Sequence, residues 1–96
     1  LTRSSAASDV YKRQALKGGW ADSKVLQTHG LRMIKNDFKP RGKNFSQLKD
    51  MNNILDCAKN KKLELPLSKI VKKMYNKLVK KGLGNYDHSS LYKSYK

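Results

Sequence analysis

The fold is decided by residues 47–91, QLKDMNNILDCAKNKKLELPLSKIVKKMYNKLVKKGLGNYDHSSL, in which apolar residues recur three and four positions apart. This spacing predicts two amphipathic helices, of which the first runs to about Lys62. Its apolar face consists of Leu48, Met51, Leu55 and Ala58. Pro66 suits the first turn of the second helix, and Gly82 is typical of the residue just beyond a helix end. The apolar face of the second helix consists of Leu67, Ile70, Val71, Met74 and Leu78.

Upstream of this stretch, residues 22–36 predict another helix, with Asp22 or Ser23 as its cap. Its apolar stripe consists of Val25, Leu26, Met33 and Ile34. The next residues, DFKPRGKNF at 37–45, lack a helical or strand period and predict a loop. Because no strand-like alternation of useful length occurs, the chain is predicted to be all-α.

Polar residues predict where two of the helices begin. Asn44 or Ser46 is expected to cap the helix that contains Leu48, with Gln47 completing a capping box after Asn44. Asp87 is expected to cap a last short helix, HSSLYKSYK, at residues 88–96.

The composition restricts the classes of protein. A chain of 96 residues holds one small domain, and it lacks the roughly 20 consecutive apolar residues of a membrane span. We therefore expect a soluble protein. Cys57 is the sole cysteine, which excludes an internal disulfide and suits the cytoplasm; it is expected to be buried or half-buried. His29 and His88 lie far apart, so no metal site is predicted.

The net charge of +15 suggests a nucleic-acid-binding function, because lysine and arginine neutralise phosphates. Two of the four arginines, Arg3 and Arg13, lie close to the N-terminus. The lysines of the helix after Pro66 recur three and four residues apart: Lys69, Lys72, Lys73, Lys77 and Lys80. A solvated basic face is the favoured interpretation. The alternative is a small basic helical module that binds nucleic acid or an anionic membrane.

Residues 1–14, LTRSSAASDVYKRQ, are predicted to be non-native and disordered. DVYKRQ resembles the translation of a transposase adapter used for sequencing libraries, and such segments are excluded from fold reasoning. The other interpretation is a short natural tail rich in serine and alanine. The domain is therefore assigned to residues 15–96.

Four ordered motifs link the chain to a known family. They are GG-x-A-x-S at 18–23, LKD at 48–50, LPL at 65–67 and GLG-x-x-D-H-S at 82–89. Together they resemble the C-terminal domain of the β-hydroxyacid dehydrogenases, the family of 3-hydroxyisobutyrate dehydrogenase and 2-hydroxy-3-oxopropionate reductase. The resemblance implies the helical domain of a two-domain enzyme similar to 6-phosphogluconate dehydrogenase, whose Rossmann domain is missing here.

The same resemblance implies an activity for the parent enzyme. It would be an NAD- or NADP-dependent oxidoreductase that interconverts a small 3-hydroxy acid and its semialdehyde, as a cytoplasmic dimer or tetramer. The family's catalytic lysine would lie upstream of Ala15, and the sequence has no G-x-G-x-x-G phosphate cradle. The fragment is therefore predicted to contain no catalytic residue and to be inactive alone.

Lys49 and Asp50 are the predicted cofactor-binding residues. By resemblance, Lys49 matches a lysine that reaches the cofactor near its nicotinamide end, and Asp50 matches the acidic neighbour that orders the site. A carboxylate in the first turn would also suit the helix dipole, so a structural role for Asp50 is equally open.

One position departs from the family pattern. The family proline that aligns with Pro40 is commonly followed by Gly-Phe, whereas this chain has Arg41 and Gly42. The family aromatic helps to enclose substrate and cofactor. Phe45, three residues later, is a candidate replacement, provided that its ring is not turned into the core.

Overall fold

The computed structural model describes residues 3–95, and the side chains of residues 7–95. It contains helices α1 (Arg3–Leu16), α2 (Lys24–Ile34), α3 (Asn44–Asn60) and α4 (Pro66–Lys80), and a final 3-10 helix, His88–Tyr95. Within the described residues the extended pairing is a single antiparallel bridge between Lys43 and Asp87. The prediction of an all-α chain is confirmed. None of the described helices is long and apolar enough to cross a membrane.

The chain divides into two compact units, Leu1–Phe38 and Lys39–Lys96. The first unit pairs α1 with α2, and Arg13 Nη1 donates a hydrogen bond to Gln27 Oε1. The expectation of disorder is therefore wrong for residues 3–14, which are helical. Serine and alanine occur both in disordered segments and in helices, and packing of α1 against α2 favours the helix here. The adapter origin of the segment stays a prediction.

Ser23 caps α2 as predicted. Its Oγ accepts a hydrogen bond from the Leu26 amide at 2.8 Å, which satisfies one of the free amides of the first turn. The neighbouring Asp22 carboxylate accepts hydrogen bonds from the Gly18 amide and from Gln27 Nε2, both at 2.8 Å. Both bonds lower the pKa of Asp22, and the bond from the Gly18 amide has the larger effect. The turn before α2 is thus tied to the helix by side-chain acceptors.

Replacing Ser23 by alanine is expected to destabilise the start of α2 by about 1 kcal/mol, because the Leu26 amide loses its acceptor. Hydrogen exchange of the first-turn amides measures the effect. Ser23→Asp, which restores an acceptor, is the control and should retain protection. Equal protection in Ser23→Ala and the parent chain would contradict the capping role.

The second unit pairs α3 with α4. Its buried apolar side chains are Met51, Ala58, Tyr75 and Leu78. The predicted face of α3 is confirmed, but that of α4 is correct only in its later turns, since Leu67 is 76% exposed and Ile70 is 56% exposed. The described part of the chain leaves the first turns of that face uncovered.

Cys57 is exposed, so the expectation of a buried or half-buried thiol is wrong. Successive residues of an α-helix point about 100° apart. With Ala58 directed into the core, its neighbour Cys57 falls outside the buried stripe.

Helices α3 and α4 end with the same motif. In α4 the Leu83 amide donates to the Leu78 carbonyl at 3.0 Å, and Gly82 has a φ of 85°. This left-handed conformation favours glycine, and the prediction for Gly82 is confirmed. At the equivalent position of α3 stands Lys62, with a φ of 56°.

Candidate functional site

A polar cluster, consisting of Asn44, Tyr75, Asp87, Ser89 and Ser90, anchors the N-terminal end of α3. All five residues are buried in the second unit, and Asn44, Asp87 and Ser90 have no exposed surface. Buried polar groups destabilise a fold unless they are hydrogen-bonded, so their partners define what the cluster does.

Asp87 holds the loop that leads into α3. Its Oδ1 accepts hydrogen bonds from the backbone amides of Arg41 at 3.1 Å and Gly42 at 3.2 Å. Its Oδ2 accepts from the Ser89 amide at 3.1 Å and from the Ser89 hydroxyl. The His88 amide also donates to the Gly42 carbonyl at 2.7 Å. The loop is therefore fixed to the start of the 3-10 helix, which Asp87 caps as predicted.

These hydrogen bonds keep the Asp87 carboxylate ionised. Burial alone would raise the pKa of Asp87, but the bonds from the Ser89 hydroxyl and from the amides of Arg41 and Gly42 hold that pKa well below its ordinary value. Burial, and secondarily the Asp87 charge, raises the pKa of Tyr75 to about 12. Tyr75 thus stays neutral, and its hydroxyl donates to the His88 carbonyl at 3.0 Å.

Asn44 links α3 to the segment that follows α4 and to the 3-10 helix. Its side-chain Nδ2 donates to the Leu83 carbonyl and to Ser90 Oγ, both at 2.8 Å. The prediction that Asn44 or Ser46 caps α3 is wrong, because Lys43 occupies the N-cap position without a side-chain hydrogen bond. The Asn44 Nδ2 group donates to tertiary partners, and Oδ1, the oxygen with which a capping residue would accept a helix amide, is buried and has no hydrogen-bond partner among the described residues.

Gln47 does not complete a capping box either. Its Oε1 lies 3.5 Å from Nδ1 of His88, the first residue of the 3-10 helix. Both residues are part-buried in the same unit, so Gln47 is directed toward the segment that contains the polar cluster.

Lys49 and Asp50 are exposed side chains of α3. With Asn44 as the first helical residue, both lie beyond the first turn, which contains no acidic residue. The expectation that Asp50 stabilises the helix through its dipole is therefore wrong, because that effect falls off within the first turn. The cluster fixes the start of their helix without including either residue.

At Gly42, where the resemblance implies an aromatic residue, the neighbouring ring is that of His88. A Cβ placed on Gly42 would lie 3.5 Å from the imidazole of His88. Phe45 is 49% exposed and its ring packs against Gly84, so it is not turned into the core. Its role as a replacement for the family aromatic stays a prediction.

Within the described residues no group of three His, Cys, Asp or Glu side chains is arranged to hold a metal ion. Sequence reasoning found the local cap formed by Asp87 but missed its contacts with Arg41 and Gly42. It also missed Tyr75 and Ser90 as polar partners. The only advance signal was the ordered GLG-x-x-D-H-S motif.

Comparison with known proteins agrees with this architecture. A family model described as NAD-binding of NADP-dependent 3-hydroxyisobutyrate dehydrogenase matches residues 5–95. The chain is 41% identical over 92 residues to 2-hydroxy-3-oxopropionate reductase of Escherichia coli K12, a match that covers 95% of this chain and 32% of the relative. It is 36% identical over 75 residues to an uncharacterised oxidoreductase of Bacillus subtilis, covering 77% of this chain and 26% of that protein.

A solved structure shares the fold. The crystal structure of 3-hydroxyisobutyrate dehydrogenase from Salmonella typhimurium superimposes with a TM-score of 0.83 at 20% identity, over 94% of this chain and 35% of that one. The chain thus spans between about a quarter and about a third of the length of these proteins. The family match includes residues 5–14, part of the segment predicted to be adapter-derived.

Proposed function

Because the chain belongs to the family of the NAD-binding domain of NADP-dependent 3-hydroxyisobutyrate dehydrogenase, we propose that it forms the helical part of an NAD(P)-dependent oxidoreductase. The match over residues 5–95 carries this proposal. The substrate would be a small 3-hydroxy acid or its semialdehyde, as the names of its relatives suggest. Association into a dimer or tetramer and a cytoplasmic location belong to the same proposal.

The residues present fit a contact with one end of a nicotinamide cofactor. Lys49 offers an exposed ammonium group with three donors, which suits a phosphate or carboxamide oxygen. The bound cofactor would supply the hydride chemistry, while protein groups orient it and handle the proton. The 96 residues contain no G-x-G-x-x-G phosphate cradle, so the phosphates would be held by a separate Rossmann domain.

In this proposal Lys49 donates a hydrogen bond to the cofactor, and Asp50 orders the adjoining surface. The Asp87 carboxylate and the Asn44 side chain act on Lys49 indirectly, because they hold the loop and the first turn of its helix. A site supported in this way loses little freedom when the ligand arrives. The chain alone is expected to show no hydride transfer.

Replacing Lys49 by methionine is expected to weaken binding of NADPH or NADH to the chain about tenfold, through loss of a charge-assisted hydrogen bond. The measurement is a titration followed by backbone amide signals in two-dimensional NMR. Lys80→Met, on an exposed position of α4, removes the same charge and should leave the affinity unchanged. Equal weakening by both variants would show that Lys49 has no specific role.

The same titration distinguishes the dehydrogenase proposal from the alternative of a basic module that binds nucleic acid or an anionic membrane. That alternative predicts tight binding to duplex DNA or anionic vesicles that weakens steeply with salt. Perturbed signals concentrated around Lys49 with cofactor, and none with DNA or vesicles at physiological salt, would support the dehydrogenase proposal. The opposite pattern would overturn it.

A further inference from the structure

A groove of about 660 Å³ lies between the C-terminal half of α3 and the N-terminal half of α4. Small-molecule sites commonly have volumes of about 300–1,000 Å³. The groove is separate from Lys49, and its occupation does not depend on the proposed cofactor role. Its apolar lining is aliphatic and consists of Leu55, Ala58, Leu63 and Leu65.

The charged lining is predominantly basic. Five lysines and two acids contribute, namely Lys59, Lys62, Lys69, Lys72, Lys73, Asp56 and Glu64. Lys69 is paired with Glu64 at 2.9 Å on the exposed rim. The remaining lining residues are four lysines against one acid, so the groove favours an anion. Because no lining residue is aromatic, a nucleobase would find no ring on which to stack.

Lys62 occupies a backbone position that disfavours it. Its φ of 56° lies in the left-handed region, where a side chain is strained and glycine is the usual residue. The equivalent position of α4 is indeed Gly82, with a φ of 85°. A strained residue that lines a groove is a reason to look for a function of its side chain.

The residue after Lys62 leaves apolar surface uncovered. The Leu63 amide donates to the Ala58 carbonyl at 2.8 Å, which closes the end of α3. In such motifs the side chain at the position of Leu63 normally packs back onto the helix. The methyl group of Ala58 offers it little surface, and Leu63 remains 60% exposed at the groove.

We propose that this groove binds a free organic anion with an aliphatic body, of the medium-chain carboxylate type. The carboxylate lies among Lys59, Lys62, Lys72 and Lys73. The aliphatic body covers Leu63 and the apolar floor at Ala58. Lys62 anchors the head group, which explains a lysine where glycine would stabilise the helix end.

The test is a titration of the 96-residue chain with octanoate, followed by backbone amide signals. Acetate supplies the head without the body, and octyltrimethylammonium supplies the body with the opposite charge. Lys62→Gly is expected to weaken octanoate binding about fivefold. The same variant should raise the midpoint of thermal unfolding by a few degrees, because the strain at φ 56° is removed. Lys81→Ala, an exposed lysine outside the groove, should leave the affinity within about twofold.

A variant that folds more stably yet binds octanoate less well would support the proposal, since loss of structure could not explain the weaker binding. The proposal would be overturned if acetate bound as tightly as octanoate, or if Lys81→Ala weakened binding as much as Lys62→Gly. Either result would mean that the chain attracts anions by its net charge alone. Binding to anionic phospholipid vesicles without binding to free octanoate would also overturn the proposal, in favour of a membrane surface. A lower midpoint of thermal unfolding in Lys62→Gly would show that Lys62 is not strained in the parent chain. Its position would then need no functional explanation, and the anchoring role would be contradicted.

Discussion

Replacing Asp87 by asparagine is expected to lower the free energy of unfolding of the Lys39–Lys96 unit by about 3 kcal/mol. Oδ1 of Asp87 accepts hydrogen bonds from the amides of Arg41 and Gly42, and Oδ2 accepts from both donors of Ser89. Asparagine keeps one acceptor oxygen and places an NH₂ group where the other accepts. At least one backbone amide, that of Ser89 or those of Arg41 and Gly42, is then left without its acceptor at a residue with no exposed surface.

The same carboxylate predicts a dependence of stability on pH. The pKa of Asp87 is lower in the folded state than its ordinary value of 3.8. The folded state therefore binds the proton less readily than the unfolded state, and the ionised carboxylate stabilises the fold above about pH 4. That contribution declines as the pH falls below about 4 toward the depressed pKa of the folded state. Asp87→Asn should flatten the stability profile in this acid range.

Urea denaturation at several pH values, followed by circular dichroism and by exchange of core amides in α3 and α4, measures both effects. Asp50→Asn is the matched control, because Asp50 is an exposed carboxylate on α3. It should change the free energy of unfolding by less than about 0.5 kcal/mol. A loss of stability as small as this in Asp87→Asn, or an unchanged acid profile, would show that the buried carboxylate does not hold the loop.

The helices were predictable because their signals are local. Ser23, Pro66 and Gly82 act through the backbone within a turn or two of their own position, and each stands where its residue type predicts. The apolar period likewise placed Met51 and Ala58 in the core. Leu67 and Ile70 show the limit, because a helical period states which side is apolar but not whether anything covers it.

The polar cluster was unpredictable for the opposite reason. Asn44 has the residue type of a cap, and its actual partners lie 39 and 46 positions away in the sequence. No local rule distinguishes an amide that bonds its own helix from one that bonds a distant loop. The fold decides between them, since the return of the chain after α4 brings Leu83 and Ser90 beside the start of α3.

Asn44→Ala is expected to lower the free energy of unfolding of the same unit by about 2 kcal/mol. The change removes the donor of two hydrogen bonds, to the Leu83 carbonyl and to Ser90 Oγ, and opens a small cavity at a residue with no exposed surface. Asn53→Ala is the control, because Asn53 is exposed on the same helix and alanine has the higher helix propensity. It should leave stability unchanged or slightly raise it.

A double-mutant cycle isolates the contact between Asn44 and Ser90. If their hydrogen bond couples them, Asn44→Ala and Ser90→Ala together should destabilise less than the sum of the single changes, by about 0.5–1 kcal/mol. Strict additivity would mean that the two side chains stabilise the unit independently. Because Asn44 is the first residue of α3, loss of this hydrogen bond should also loosen the helix at Lys49, five residues further along. In Asn44→Ala, amide protection should therefore fall most in the first turns of α3, whereas the α3 amides beyond Ala58 should lose little beyond the global loss of stability.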